Sequence, residues 1–216
     1  LKKTQSWEKV STDDVYGFMQ ESHITAMKPA SKSRKLATIR SFFSFLHKDG
    51  LIDSDPSQNI KTYKIEGHLP NVLSISQALK LISTPLAKST TPSAFRDQAM
   101  LQITYASGLR VSELINLDVG DVDLTSQKVR CTGKGNKERI IPFHNQAKIS
   151  IQEYLKKFRS QYKNQRSGNA LFINNRGSRL TRQSFWLIIK KYSIINGISA
   201  KMTPHTLRHS FATHLL

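Results

Sequence analysis

Arg110, Lys134, His205 and Arg208 stand in three short motifs: Ala106-Ser107-Gly108-Leu109-Arg110-Val111-Ser112-Glu113-Leu114, Gly133-Lys134-Gly135-Asn136-Lys137-Glu138-Arg139 and Pro204-His205-Thr206-Leu207-Arg208-His209. Two arginines, a lysine and a histidine brought to one point suit a phosphodiester that passes through a more negatively charged transition state. The chemistry they suggest is performed on a nucleic-acid backbone.

Each residue has a plainer reading beside the chemical one. Arg110 follows Gly108-Leu109 at a helix boundary, where its planar fork can grip two non-bridging phosphate oxygens. It can equally form a buried ion pair with Glu113, three residues on, and the two readings are compatible. Lys134 lies in a glycine-bounded hairpin loop, and a lysine whose pKa is lowered by neighbouring arginines and desolvation can donate a proton. Lys137 and Arg139 compete for that role, although a basic hairpin resting on backbone phosphates suits those two better. Thr203-Pro204 reads as an N-cap followed by proline at the first helical position. It sets His205 and Arg208 on one face at a positive helix end, where an anion is favoured. An ordinary surface helix start is the plain alternative. His205, His209 and His214 also raise a metal site, but a zinc hydrolase of the common type needs glutamate after the first histidine, and Thr206 stands there. No metal and no cofactor is therefore expected, with His209 and His214 read as packing or surface residues.

The elements that must position these groups are mostly helices. Ser11-Thr12-Asp13-Asp14 marks a helix start, with Val15, Phe18 and Met19 as its apolar stripe. A second helix starts near Ser31, carries Leu36, Ile39, Phe43 and Leu46 at helical spacing, and ends at Gly50. Glu66 to Leu73 reads as a linker. Beyond it, Ser74 or Ser76 caps a helix through Ile82, Phe95 to Ser107 is a long buried helix ended by Gly108, and Val111 to Leu117 is a short one. Lys128 to Cys131 and Arg139 to Phe143 are strands of a hairpin, and Leu171 to Ile173 is a candidate third strand. Helices follow at about 146–161, 182–196 and 205–216. The fold class is mainly α with a small β-sheet (α+β). Its parts are a small all-helical domain at 1–65, a linker at 66–73 and a larger domain at 74–216.

Composition selects the partner. The 216 residues include 33 Lys and Arg against 15 Asp and Glu, a formal charge of +18, and the pI is near 10.2. An extended polyanion is the natural partner for a charge of that size, which we expect over both domains. An anionic membrane is the rival, and no long apolar run or lipidation signal supports it. Cys131 is the single cysteine, which excludes an intrachain disulfide and a thiolate cluster and fits a reducing cytosol. For DNA contact, Ser31, Lys32, Ser33, Arg34 and Arg40 form a helix edge suited to a groove and its phosphates. Thr181, Arg182 and Gln183 open another helix, where Arg and Gln can read guanine or adenine edges. Either set alone reads equally as a solvated basic face.

These three motifs, with Thr181-Arg182-Gln183-Ser184-Phe185-Trp186 and the terminal His209-Ser210-Phe211-Ala212-Thr213-His214-Leu215-Leu216, resemble the tyrosine recombinases, the phage integrase family, and within it the bacterial Xer type. The resemblance covers nearly the whole chain. It implies a C-shaped clamp around duplex DNA, with 1–65 as the DNA-binding domain and 74–216 as the catalytic domain. Arg110 and Arg208 would hold the scissile phosphate, His205 would assist, Lys134 would be general acid for the leaving 5′-oxygen, and Glu113 would support the site. The implied partners are a double-stranded recombination site and further protomers, identical or paralogous, in a tetramer on two sites. A DNA translocase is a further candidate partner. The implied setting is the cytoplasm, in chromosome segregation at cell division. A phage or transposon integrase with the same chemistry, and a DNA-binding fragment without a catalytic role, are the alternatives. One departure concerns the end of the chain: Leu216 precedes the Leu-Gly-His segment and nucleophilic tyrosine of the family. None of Tyr16, Tyr63, Tyr105, Tyr154, Tyr162 and Tyr192 has the nucleophile's context, so these residues are expected to bind DNA without cleaving it.

Overall fold

The computed structural model describes residues 6–63, 72–133, 135, 137–198 and 202–215. The chain divides into two compact units, Leu1–Leu69 and Pro70–Leu216. Their charges differ: the first holds 11 basic and 8 acidic residues, the second 22 and 7. Both units are net positive, as expected, with most of the excess in the second: +15 against +3.

In the first unit, helices α1 (Thr12–Gln20), α2 (Ser22–Thr25) and α3 (Pro29–Lys48) enclose a small core of Val15, Met19, Ile24, Leu36, Phe43 and Leu46. Ser11 caps α1 through a reciprocal pair with Asp14: the Asp14 N–H donates to the Ser11 hydroxyl at 3.2 Å, and the Ser11 N–H donates to the carboxylate at 3.0 Å. Helix α3 begins two residues before Ser31, because Pro29 occupies the first helical position and Lys28 flanks it. Among residues 22–48 there is no Asp or Glu, so the cations of α3 have no acidic neighbour on their own helix.

The second unit is built on α5 (Pro92–Ser107), buried along most of its length and packed against α4 (Ile75–Lys88), α7 (Asn145–Tyr154) and α10 (Pro204–His214). The described part of the linker assignment is revised at one end. Leu73 is buried in this core and its N–H donates to the Ser210 hydroxyl, while residues 66–71 lie outside the described set. Beyond α7 the helical path continues as a π-helical stretch, Leu155–Arg159, and α8 (Ser160–Tyr162). Helix α6 (Val111–Asn116) lies against α9 (Arg182–Ile195).

The sheet is antiparallel in the order β1 (Val122–Asp123), β2 (Lys128–Thr132), β3 (Glu138–Pro142), with Cys131 opposite Arg139. The third strand is therefore β1 and not Leu171 to Ile173, where Ile173 makes an isolated bridge with Arg179 and the preceding Ala170 another with Asp118. The backbone of that segment finds other partners. Tyr154 Oη donates to the Leu171 carbonyl at 2.8 Å and accepts from the Ile173 N–H at 3.1 Å, and the Leu171 N–H donates to Leu117. Buried backbone groups must be paired, and here a side chain does it. Burial pushes the Tyr154 phenol up to about 12.

Candidate active site

Three arginines from three elements meet on one buried carboxylate. Helix α5 ends at Gly108, whose φ of +58° is left-handed and whose N–H donates to the Thr104 carbonyl. The chain then extends through Arg110 and enters α6, where Glu113 turns back so that its Oε2 accepts the Arg110 backbone N–H at 2.7 Å. Glu113 Oε1 accepts from Arg110 Nη1 at 3.0 Å, and Oε2 accepts from Arg139 Nη2 at 2.7 Å. Arg208 Nη1 stands 3.9 Å from Oε2 and donates to the Gly108 carbonyl.

Exposure decides what this cluster can do. The Glu113 side chain is 4% exposed, against 51% for Arg110, 37% for Arg139 and 31% for Arg208. One buried negative charge orients Arg110 and Arg139, the Gly108 carbonyl holds Arg208 beside them, and the outer edges of all three stay open to solvent, so the ensemble keeps a positive excess for an anion. Burial and the neighbouring Arg110 lower the Arg208 pKa, partly offset by Glu113. Burial also works against charged Arg139, but its contacts with Cys131 and Glu113 outweigh that and raise its pKa.

His205 is exposed in the first turn of α10, one turn before Arg208, and its side chain has no hydrogen-bond or ion-pair partner among the described residues. Thr203 caps the helix and Pro204 takes its first position. Lys134 lies outside the described residues. The hairpin that carries it is closed by the Gly133 N–H on the Lys137 carbonyl at 2.8 Å, with Gly135 at φ +75°. His214 is a packing residue: its Nδ1 meets the Tyr105 hydroxyl at 2.8 Å and its Nε2 meets the Leu73 carbonyl at 2.9 Å. No group of three metal-ligating side chains occurs among the described residues.

The expected DNA-contacting set is partly revised. Arg40 is not a free cation, because its guanidinium donates to the Ser57 and Ile60 carbonyls and to the Thr62 hydroxyl, pinning the segment after α3. The Lys32 ammonium lies 5.7 Å from the Tyr63 ring centre. Ser31 and Arg34 are exposed and Ser33 is half-buried. The Thr181 hydroxyl caps α9 by accepting the Ser184 N–H, leaving Arg182 and Gln183 exposed in the first turn.

Sequence reasoning read Arg139 only as a rival to Lys134 or a phosphate contact and missed its bond to Glu113. A signal was present. Arg139 and Ile141 share one face of β3 by the two-residue alternation of a strand, and that face is directed inward.

Gly108 ties these parts together. A Cβ at this position would overlap the Phe211 ring of α10, and the left-handed backbone alone disfavours alanine by about 1–2 kcal/mol. Gly108→Ala is expected to lower the melting temperature and to displace Arg208 from its carbonyl anchor. An unchanged thermal transition would show that Phe211 yields freely.

A helical first unit, and a second unit that gathers arginines around a buried carboxylate beside a basic hairpin, define a phosphodiester-handling protein. The phage integrase family model matches residues 71–216, and that of the phage integrase N-terminal SAM-like domain matches 1–50. The chain belongs to the phage integrase family, the tyrosine recombinases. Relatives of the Xer kind are among those it matches. Tyrosine recombinase XerC of Herpetosiphon aurantiacus is 44% identical over 215 residues, covering 100% of this chain and 70% of the relative. Tyrosine recombinase XerD of Oceanobacillus iheyensis is also 44% identical, over 99% of this chain and 71% of the relative. Of solved structures, the XerH site-specific recombinase bound to palindromic difH substrate has a TM-score of 0.75 at 21% identity, over 96% of this chain and 60% of that one.

Proposed function

We propose that residues 1–216 bind duplex DNA and supply the phosphate-activating groups of a site-specific recombinase that cleaves and rejoins strands through a 3′-phosphotyrosyl intermediate. The observation that carries this reading is the trio of half-open arginines gathered on buried Glu113, two bonded to it and the third anchored beside it on the Gly108 carbonyl. Arg110 and Arg208 take the non-bridging oxygens of the scissile phosphate and stabilise the charge that builds there. A tyrosine oxygen attacks phosphorus as the bond to the 5′-oxygen breaks. Lys134 supplies the proton that the 5′-oxygen takes away, and His205 assists proton transfer and hydrogen bonding at the phosphate. The phosphodiester energy is kept in the phosphotyrosyl bond, so rejoining needs no nucleotide cofactor.

The nucleophile of this reaction is assigned to none of the six tyrosines. Tyr105 is engaged with His214, Tyr154 with the 171–173 backbone, and Tyr192 donates to Asp97 at 3.0 Å. Burial raises the pKa of all three. Tyr162 stacks on Phe158, and Tyr16 and Tyr63 belong to the first unit. None has a hydrogen bond to the Glu113 cluster. In this reading residues 1–216 bind DNA, and cleavage draws on a tyrosine other than these six.

Ser31, Lys32, Ser33 and Arg34 on α3, and Arg182 and Gln183 on α9, are the proposed DNA contacts, with Thr181 shaping the helix start. The organisation follows the units: a DNA-binding unit, then a catalytic one. Partner protomers on a second DNA site and a DNA translocase complete the proposed assembly, acting in the cytoplasm in chromosome segregation. The 44% identity to both an XerC and an XerD supports this over a mobile-element integrase without choosing between the two Xer types. No helix among the described residues is long and apolar enough to cross a membrane.

Titration of duplex DNA at increasing salt tests the binding. The logarithm of the affinity is expected to fall with the logarithm of salt by about 0.9 per phosphate neutralised. Salt-insensitive binding would contradict the reading.

A further inference from the structure

Arg139 and Arg208 compete for one oxygen. Glu113 Oε2 already accepts the Arg110 N–H and Arg139 Nη2, each at 2.7 Å, while Arg208 Nη1 waits at 3.9 Å, beyond hydrogen-bonding range. Arg139 is held there from behind, since its Nε donates to Sγ of buried Cys131 at 3.2 Å, its partner across the β2–β3 ladder. Arg139 and Arg208 also border the same depression of about 270 Å³, with Gly108 and Phe211. A carboxylate that is 4% exposed leans on its protein donors, and losing one leaves an unmet acceptor that draws on the nearest remaining donor. Without Arg139, the nearest replacement is Arg208, which needs to move only about 1 Å to reach hydrogen-bonding distance.

We propose that Arg139 is a positioning residue that saturates Glu113 Oε2 and so keeps Arg208 free for the scissile phosphate. The proposal rests on reading Arg110 and Arg208 as the phosphate clamp. Lysine replaces Arg139 incompletely, because one ammonium lacks the planar fork that spans Cys131 and Glu113.

The test uses the protein extended through the full length of its Xer relatives, with a nicked suicide duplex at saturating concentration. Arg139→Ala is expected to slow single-turnover cleavage roughly tenfold to a hundredfold, the effect of misplacing a clamping group by about 1 Å. DNA affinity stays nearly unchanged, and Arg139→Lys falls between alanine and the parent. Adding Glu113→Gln to Arg139→Ala is expected to recover part of the rate, because a neutral amide no longer draws Arg208 inward. A purely structural role or a simple phosphate contact does not produce that suppression. Should the alanine variant fail to fold, Arg139→Gln with and without Glu113→Gln makes the same comparison. Unchanged cleavage, a loss confined to affinity, or a further loss on adding Glu113→Gln would overturn the proposal. Arg110→Ala run alongside separates the two readings: if it cleaves normally, the clamp itself is misassigned, whereas its failure beside a normal Arg139→Ala removes only this inference.

Discussion

Replacing Arg110 or Arg208 by alanine in a full-length protein is expected to slow strand cleavage on the order of a hundredfold or more, with duplex affinity largely intact. The asymmetry follows from where charge resides. Binding draws on many cations, 22 of them in the second unit alone, and the loss of one removes a small share of it. Cleavage depends on donors aimed at oxygens whose charge grows only in the transition state, and these two are oriented by Glu113 and the Gly108 carbonyl. Single-turnover cleavage at saturating DNA, beside equilibrium binding, checks the split. Lost binding with normal cleavage of saturated DNA would make the arginine structural.

Lys134→Ala is expected to abolish most cleavage of ordinary DNA and to regain it on a substrate whose bridging 5′-oxygen is replaced by sulfur. An alkoxide needs a proton as it leaves, whereas a thiolate leaves without one, so the substrate replaces the work of a general acid and of no other group. Arg110→Ala is expected to gain much less, because the charge on the non-bridging oxygens is the same with either leaving group. Equal rescue of both, or rescue of Lys137→Ala instead, would put the general acid elsewhere.

Local signals were legible in the sequence, and long-range ones were not. Thr203 caps the helix expected of it, Ser74 takes the cap left open between it and Ser76, and Ser11 and Thr181 cap the helices that start beside them, because a cap bond spans only three residues. Gly108 ends α5 for an equally local reason, its left-handed backbone. Leu171 to Ile173 has the apolar character of a buried strand, yet its partners are Tyr154 and Leu117, which no pattern within the segment reveals. Arg40 looks like its exposed neighbours on α3, and only contacts 17 to 22 residues away turn it inward. At the site, Arg110, Arg208 and Glu113 could be named from their motifs. The seat of Arg139 on the same carboxylate depended on how β3 pairs with β2 across Cys131.

The most direct measurement is covalent capture on a nicked suicide duplex. The account predicts a denaturation-resistant protein–DNA complex from the chain extended through the length of its Xer relatives. That complex should be lost when the tyrosine of the added segment becomes phenylalanine, and residues 1–216 alone should bind the same duplex without forming it. A covalent complex from residues 1–216, mapped to any of Tyr16, Tyr63, Tyr105, Tyr154, Tyr162 or Tyr192, or none from the extended protein, would contradict it.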